Sequence, residues 1–149
     1  MTSITEGRGL RAFTIVEKPP TVAQYRELRE AVGWRDIPDG AVARGLPNAL
    51  YSLCAESEGR TVACARIVGD GGLYFYLQDV IVHPEHQGKG VGAAMMDCLL
   101  AYLKRTAPPG SFVGLMAVKG ASAFYERYGF AEREPGRPGM YRVWTEADR

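Results

Sequence analysis

Apolar side chains change their spacing several times along the chain, and each change marks an element. AFTIVEK, over 12–18, has strand composition, and Pro19-Pro20 stops it. From the N-cap candidate Thr21, the residues Val22, Tyr25, Leu28 and Val32 fall at helical spacing until Gly33. GWRDIPDG (33–40) reads as a loop, with a weaker helical stretch up to Leu46. LYSLCAE (50–56) and TVACARIVG (61–69) form a hairpin across Ser57-Glu58-Gly59-Arg60. After a turn at 69–72 comes the long strand LYFYLQDVIV (73–82).

Val91, Ala94, Met95, Cys98, Leu99 and Tyr102 make one stripe of a helix over 89–106. SFVGLMAV (111–118) is a further strand, ASAFYERYGF (121–130) a short helix and MYRVW (140–144) a last strand. Antiparallel hairpins ahead of one β-α-β crossover predict a mixed α/β sheet flanked by helices. The length suits one domain over residues 1–149.

Composition narrows the function. The net charge is +1, with no Lys/Arg run of the kind that marks a nucleic-acid partner. No apolar run approaches the roughly 20 residues of a membrane span. MTSITEGRGLRAF lacks the pattern of a signal peptide, so the expected location is cytoplasmic. Cys54, Cys64 and Cys98 include no CxxC pair and fit no zinc-finger spacing, so no metal is expected. A two-residue turn at Glu58-Gly59 pairs Cys54 with Ala63. Cys64 then lies on the opposite face, and all three thiols read as reduced and buried.

The chemistry concentrates in VHPEHQGKGVGAAMMDCLLAYL, where Gly88, Gly90 and Gly92 separate a strand from a helix. A helix start preceded by glycines offers free N–H groups to a phosphate. A Walker ATP loop needs Gly-Lys followed by Ser or Thr, which is absent. A dinucleotide loop needs a later third glycine and a downstream acid, also absent. The pattern present is Gln87-x-x-Gly90-x-Gly92 after Gln78-Asp79-Val80-Ile81-Val82. Further on comes Phe124-Tyr125-Glu126-Arg127-Tyr128-Gly129-Phe130. Together these resemble the two motifs of the GNAT superfamily of acyl-CoA N-acyltransferases.

That resemblance implies a mixed, mainly antiparallel sheet with splayed central strands. It implies acetyl-CoA as acyl donor, its pyrophosphate on Gln87, Gly88, Lys89, Gly90, Val91, Gly92 and Ala93. The backbone of Val80, Ile81 and Val82 would meet the pantetheine amides. Tyr125 matches the family's general acid. Trp34, Gln78 and Met116 are the expected acceptor-site residues. Many relatives carry Asn where this chain has Val118, which removes one expected cofactor contact. No base stands out: Tyr76 and Gln78 occupy the strand positions, and His83 and His86 read as surface residues. Asp79 faces away from Gln78 if the strand is regular, whereas a bulge would turn it. A water relay through backbone carbonyls is the default route for the amine proton. The implied activity is acetyl transfer to a primary amine of a small molecule or peptide, with a homodimer compatible. The competing reading is a non-catalytic acyl-CoA-binding regulatory domain, and a more remote one is transfer of a longer acyl group.

Overall fold

The structure, a computed structural model, describes the backbone of residues 3–4 and all of residues 12–149. The expectations for the rest of the N-terminal stretch lie outside the described residues. The chain divides into two compact units, 1–116 and 117–149.

The first unit holds a six-stranded sheet in sequential order. Its strands are β1 (Ser3–Ile4), β2 (Thr14–Val16), β3 (Tyr51–Ser57), β4 (Arg60–Gly69), β5 (Tyr74–Val82) and β6 (Phe112–Gly114). Every pairing is antiparallel except β5 with β6, which is parallel. That one parallel pair is joined by α3 (Val91–Thr106), the crossover predicted from the sequence. The helices α1 (Val22–Ala31) and α2 (Asp39–Gly45) lie between β2 and β3 in the chain.

α1 begins where its sequence says it should. Thr21 accepts from the Gln24 N–H, and the Gln24 side chain accepts from the Thr21 N–H, a complete capping box. Its apolar stripe buries Tyr25 and Leu28 in a cluster with Val42, Leu46, Cys64 and Ile81. Full burial of a leucine such as Leu28 contributes about 2 kcal/mol. α3 buries Val91, Ala94, Met95, Met96, Cys98, Leu99 and Leu103. It packs on β3, β4 and β5, with Tyr102 stacked on Tyr51 at 4.5 Å between ring centroids.

Two bulges alter the sheet. The β3–β4 turn is the expected two-residue one, with Glu58 and Gly59 both at positive φ. The register slips between Ala55 and Glu56, however, so Cys54 pairs with Cys64 and Ala63 with Ala55. The sequence expectation that Cys64 faces away from Cys54 is thereby corrected: one extra residue on β4 brings both thiols to the same face. Both remain free and buried, as does Cys98. The second bulge lies in β5. Cys64 pairs with Ile81 and Arg66 with Gln78, so Asp79 and Val80 together oppose Ala65.

The second unit, 117–149, carries α4 (Ser122–Glu126) and a terminal 3-10 turn. Two expected strands are shortened or missing. The run 111–118 forms a strand only over Phe112–Gly114, and 140–144 joins no sheet. Strand-type side chains do not suffice without a neighbour to complete the ladder.

Burial pushes the Cys54 thiol up to about 12 and the Cys64 thiol well above its ordinary range. A thiol reagent at pH 8 should therefore label none of the three cysteines in the folded protein and all three in denaturant. Rapid labelling of the native chain would contradict this packing.

Candidate active site

β5 leads straight into the glycine loop. After Val82 the chain makes a 3-10 turn over Pro84–His86, then Gln87-Gly88-Lys89-Gly90, all four exposed. Gly88 and Gly90 sit at φ +73° and +83°, a region that side-chain-bearing residues rarely occupy. A Cβ at either position would meet nothing within 4 Å, so the space beside this backbone is open.

α3 starts at Val91, two residues after the expected Lys89, with Gly90 as an N-cap that offers no side-chain acceptor. The first intrahelical bond runs from the Ala94 N–H to the Gly90 carbonyl. The N–H groups of Val91, Gly92 and Ala93 thus have no acceptor in their own helix, and the first turn holds no acid. These donors, with the helix dipole behind them, form an anion cradle. Lys89 is exposed on the loop.

The strand beside this cradle has an open edge. β5 pairs with β6 only from Tyr74 to Tyr76 and then continues to Val82. The His83 N–H bonds the Val62 carbonyl, so the neighbouring Val82 groups point to the opposite edge, away from β4. There the Val82 carbonyl accepts from Gln87 Nε2 at 3.0 Å, tying the strand end to the loop. The sequence reading gave Gln87 a cofactor role, and its side chain also holds this local geometry.

Asp79 resolves the question left by the sequence. Its φ is +55°, and its side chain is 4% exposed. The bulge turns it onto the same face as Gln78, whose Nε2 lies 3.3 Å from Asp79 Oδ1. The expectation for a regular strand, with Asp79 facing away, is replaced by the bulged alternative. Arg66 Nε donates to Asp79 Oδ2 at 2.7 Å, Tyr25 Oη donates to the same oxygen at 2.9 Å, and Arg29 Nη1 lies 3.6 Å from Oδ1. A carboxylate held by two guanidiniums and a phenol is a structural anchor and a poor general base. Burial and the Asp79 charge push the Tyr25 phenol upward, which keeps it a donor.

Arg29 carries this network to the loop after α1. Its Nε and Nη2 donate to the Arg35 carbonyl, and its guanidinium lies over the rings of Tyr25 and Trp34 at 5.4 and 5.3 Å. Trp34 packs half-buried against the α1 cluster. Beside it opens a cavity of about 400 Å³ whose lining includes Arg29, Glu30, Trp34, Asp36 and Ile37. The loop thus lines this cavity with one aromatic ring and several charged groups. Met116, by contrast, is 61% exposed at the end of the first unit. Tyr125 lies on α4 in the second unit, edge-on to Phe124 at 5.0 Å and Phe130 at 6.3 Å. Burial raises its phenol above the ordinary range.

Sequence reasoning missed Tyr25, Arg29 and Arg66 as a set. The signal was there: one acid inside the apolar run YLQDVIV demands buried partners. Arg29 stands four residues after Tyr25 on the helix, and Arg66 interrupts the apolar run of β4.

The histidines also differ from expectation. His83 and His86 are half-buried. His83 Nδ1 accepts from the Glu85 N–H, and His86 Nδ1 is buried with no hydrogen-bond partner. Ligand atoms of His83, Glu85 and His86 lie within 4.8 Å of one another. Arg60 already lies 3.4 Å from His83 Nε2 and 3.7 Å from Glu85 Oε2, placing a cation where a metal would compete with it.

Residues 49–132 match the family model of the acetyltransferase (GNAT) domain. The chain belongs to the GNAT acetyltransferase family. It is 40% identical over 123 residues to a protein of Oryza sativa subsp. japonica named serotonin N-acetyltransferase 2, chloroplastic. That match covers 80% of this chain and 60% of the rice protein. Among solved structures it resembles a probable acetyltransferase of methicillin-resistant Staphylococcus aureus, SA2161, with TM-score 0.84 and 30% identity. This superposition covers 89% of this chain and 99% of the other. The fold also matches an acetyltransferase of Clostridium acetobutylicum whose structure was solved with acetyl-CoA. Its TM-score is 0.61 at 18% identity, over 91% and 98% of the two chains. As a GNAT domain this chain is an acyl-CoA-dependent N-acetyltransferase, and its sheet is the mixed, mostly antiparallel one expected. Among the described residues no helix is long and apolar enough to cross a membrane.

Asp79→Ala should destabilise the protein by about 3 kcal/mol, because it leaves Arg29 and Arg66 without their buried counter-charge. Urea unfolding of the variant measures this. A loss under about 0.5 kcal/mol, the size of an ordinary surface substitution, would show that the network does not hold the bulge.

Proposed function

We propose that this GNAT chain, as one domain over 1–149, transfers an acetyl group from acetyl-CoA to a primary amine of a small molecule or peptide. The observation that carries this reading is the pairing of an uncapped α3 start with the open edge of β5. The first suits a pyrophosphate on the backbone of Gln87, Gly88, Lys89, Gly90, Val91, Gly92 and Ala93. The second suits the amide chain of pantetheine along Val80, Ile81 and Val82. Trp34 and Gln78 face the acceptor, with Met116 at its margin.

The reaction is direct attack in a ternary complex. The amine lone pair forms a C–N bond at the thioester carbonyl carbon, and a β5 N–H stabilises the negative charge that gathers on oxygen. The C–S bond then breaks. Tyr125 gives its proton to the departing thiolate and is reprotonated from water. The amine proton leaves through ordered water and backbone carbonyls, since Asp79 is committed to Arg66 and Arg29. None of these steps calls for a Lewis acid. The aromatic wall at Trp34 and the name of the rice relative make serotonin the first acceptor to test, beside a lysine peptide.

Two copies associate in this reading, and nucleic acid is not a partner, in keeping with the net charge of +1. Reduced, buried thiols favour a reducing compartment, and the cytoplasm is the proposed one.

Coenzyme A should raise the melting temperature by mass action, whereas NAD and ATP should not. Gly90→Val should abolish the shift, because φ +83° excludes a β-branched residue and its side chain would enter the open space. A folded variant with unchanged affinity would remove the loop assignment.

Tyr125→Phe should lower turnover by roughly 10²-fold with little change in cofactor affinity. The wild-type rate should fall only at high pH, above the ordinary phenol pKa, because burial raises that of Tyr125 and keeps the proton on oxygen through neutrality. The Phe variant should lack this limb. Equal rates and profiles would refute proton donation. Coenzyme A binding with no thiol release across an amine panel would favour the non-catalytic domain.

A further inference from the structure

Two histidines and a glutamate that no step of the acetyl transfer uses meet just after β5. His83, Glu85 and His86 fall within the four residues His-Pro-Glu-His, at the 3-10 turn Pro84–His86. Such a turn has three residues per revolution, so His83 and His86 come to the same side of it. Their rings meet edge-on at 6.2 Å between centroids. One ligand atom from each of the three side chains lies within 4.8 Å of the other two. Pro84 occupies the first position of the turn, where its fixed φ holds the chain in shape.

Neither imidazole is well satisfied by its present contacts. His86 Nδ1 is buried without a hydrogen-bond partner, an arrangement native proteins seldom leave unanswered. His83 Nδ1 accepts from the Glu85 N–H at 3.2 Å, so the proton of the neutral ring sits on Nε2. That N–H then faces Arg60 Nη2, a second donor, at 3.4 Å. Arg60 is held instead by Glu27, whose Oε1 lies 2.6 Å from the same Nη2, while its approach to Glu85 Oε2 is a loose 3.7 Å. Arg60 can leave the cluster and keep its better partner.

The geometry points to a site for a divalent ion of the zinc class on His83, Glu85 and His86, with water completing the coordination. Two imidazoles and one carboxylate suit Zn²⁺, Ni²⁺ or Cu²⁺ better than Mg²⁺ and Ca²⁺, which take oxygen ligands. Bonds of about 2.1 Å to a tetrahedral ion set its ligand atoms about 3.4 Å apart. The Glu85 side chain is 70% exposed, so it can swing in and close the present spacing. Coordination by either nitrogen of His83 gives up the bond from the Glu85 N–H, at an exposed position where water replaces it. The cysteine spacings that exclude a zinc finger do not involve these histidines. Gln87 follows His86 directly and holds the Val82 carbonyl, so the ion would clasp the turn that carries the glycine loop. It takes part in no bond-making step, and the proposal is independent of the acetyl-transfer reading.

Calorimetric titration of the untagged full chain with Zn²⁺ should show one ion bound per chain, and Mg²⁺ should give no heat. The three native thiols are buried and do not compete. Zn²⁺ should also raise the melting temperature by mass action. Glu85→Gln alters only an exposed side chain, so the fold survives. Its affinity for Zn²⁺ should fall at least about tenfold, the lower end of the loss seen when even an outer partner of a metal ligand is removed. His86→Ala should abolish binding, and should it fail to fold, Glu85→Gln decides. Arg60→Gln removes the competing charge and should tighten binding by up to about fivefold, the worth of an exposed charge pair. No Zn²⁺ binding by the wild type at millimolar concentration, or unchanged affinity in Glu85→Gln, overturns the site. Weaker binding by Arg60→Gln overturns it too, since Arg60 would then support the ion rather than give way to it.

Discussion

The first unit is organised around the buried carboxylate of Asp79. A charge at that depth costs several kcal/mol to desolvate, and the Arg66 and Arg29 guanidiniums, the Tyr25 hydroxyl and the Gln78 amide offset it. Those partners come from β4 and α1, so the carboxylate fixes three elements at once. It also holds a non-glycine residue at φ +55°, and this conformation makes the bulge. Leu77 and Ile81 are four residues apart and in a regular strand would share a face. Here Leu77 pairs with Ile67, while Ile81 joins Cys64 under α1. The bulge produces that switch, and it sets which groups of the strand end remain on the open edge.

The same carboxylate links the bulged strand β5 to the loop after α1. Arg29 reaches from Asp79 to the Arg35 carbonyl and lies over Trp34. The loop that walls the cavity is therefore tied, through one arginine, to the strand proposed to bind pantetheine. A shift of the bulge would move Trp34 as well. This coupling is a physical path of ion pair, hydrogen bond and ring contact, and each step is a named distance.

The sequence made local events legible and hid register. The capping box at Thr21, the turn at Glu58-Gly59 and the stripe of α3 depend on neighbours within a few residues, and each appears as expected. The Cys54–Cys64 pairing and the turning of Asp79 depend on single extra residues in strands. Two-residue periodicity carries no mark of a bulge, because apolar residues suit both faces of a covered sheet. The glycine loop was legible because φ near +80° restricts residue type. The Arg29–Arg66–Tyr25 shell was not, because its members are far apart in the chain. The strand at 140–144 was read from composition, and composition alone does not place a partner strand beside it.

The two long helices show where stability and binding part company. α1 satisfies the Gln24 N–H with the Thr21 side chain and the Thr21 N–H with the Gln24 side chain, two of the four donors that a helix start leaves over. α3 forgoes such a cap, which in an ordinary helix costs about 1 kcal/mol. It tolerates that loss because seven buried side chains anchor it to the sheet, a far larger contribution. Its unsatisfied donors then stay oriented by a rigid element and need no reorganisation when an anion arrives. A capped α3 would be a better helix by itself and would offer an anion fewer free donors. Core packing thus permits the uncapped turn, and the glycines keep the approach to it clear.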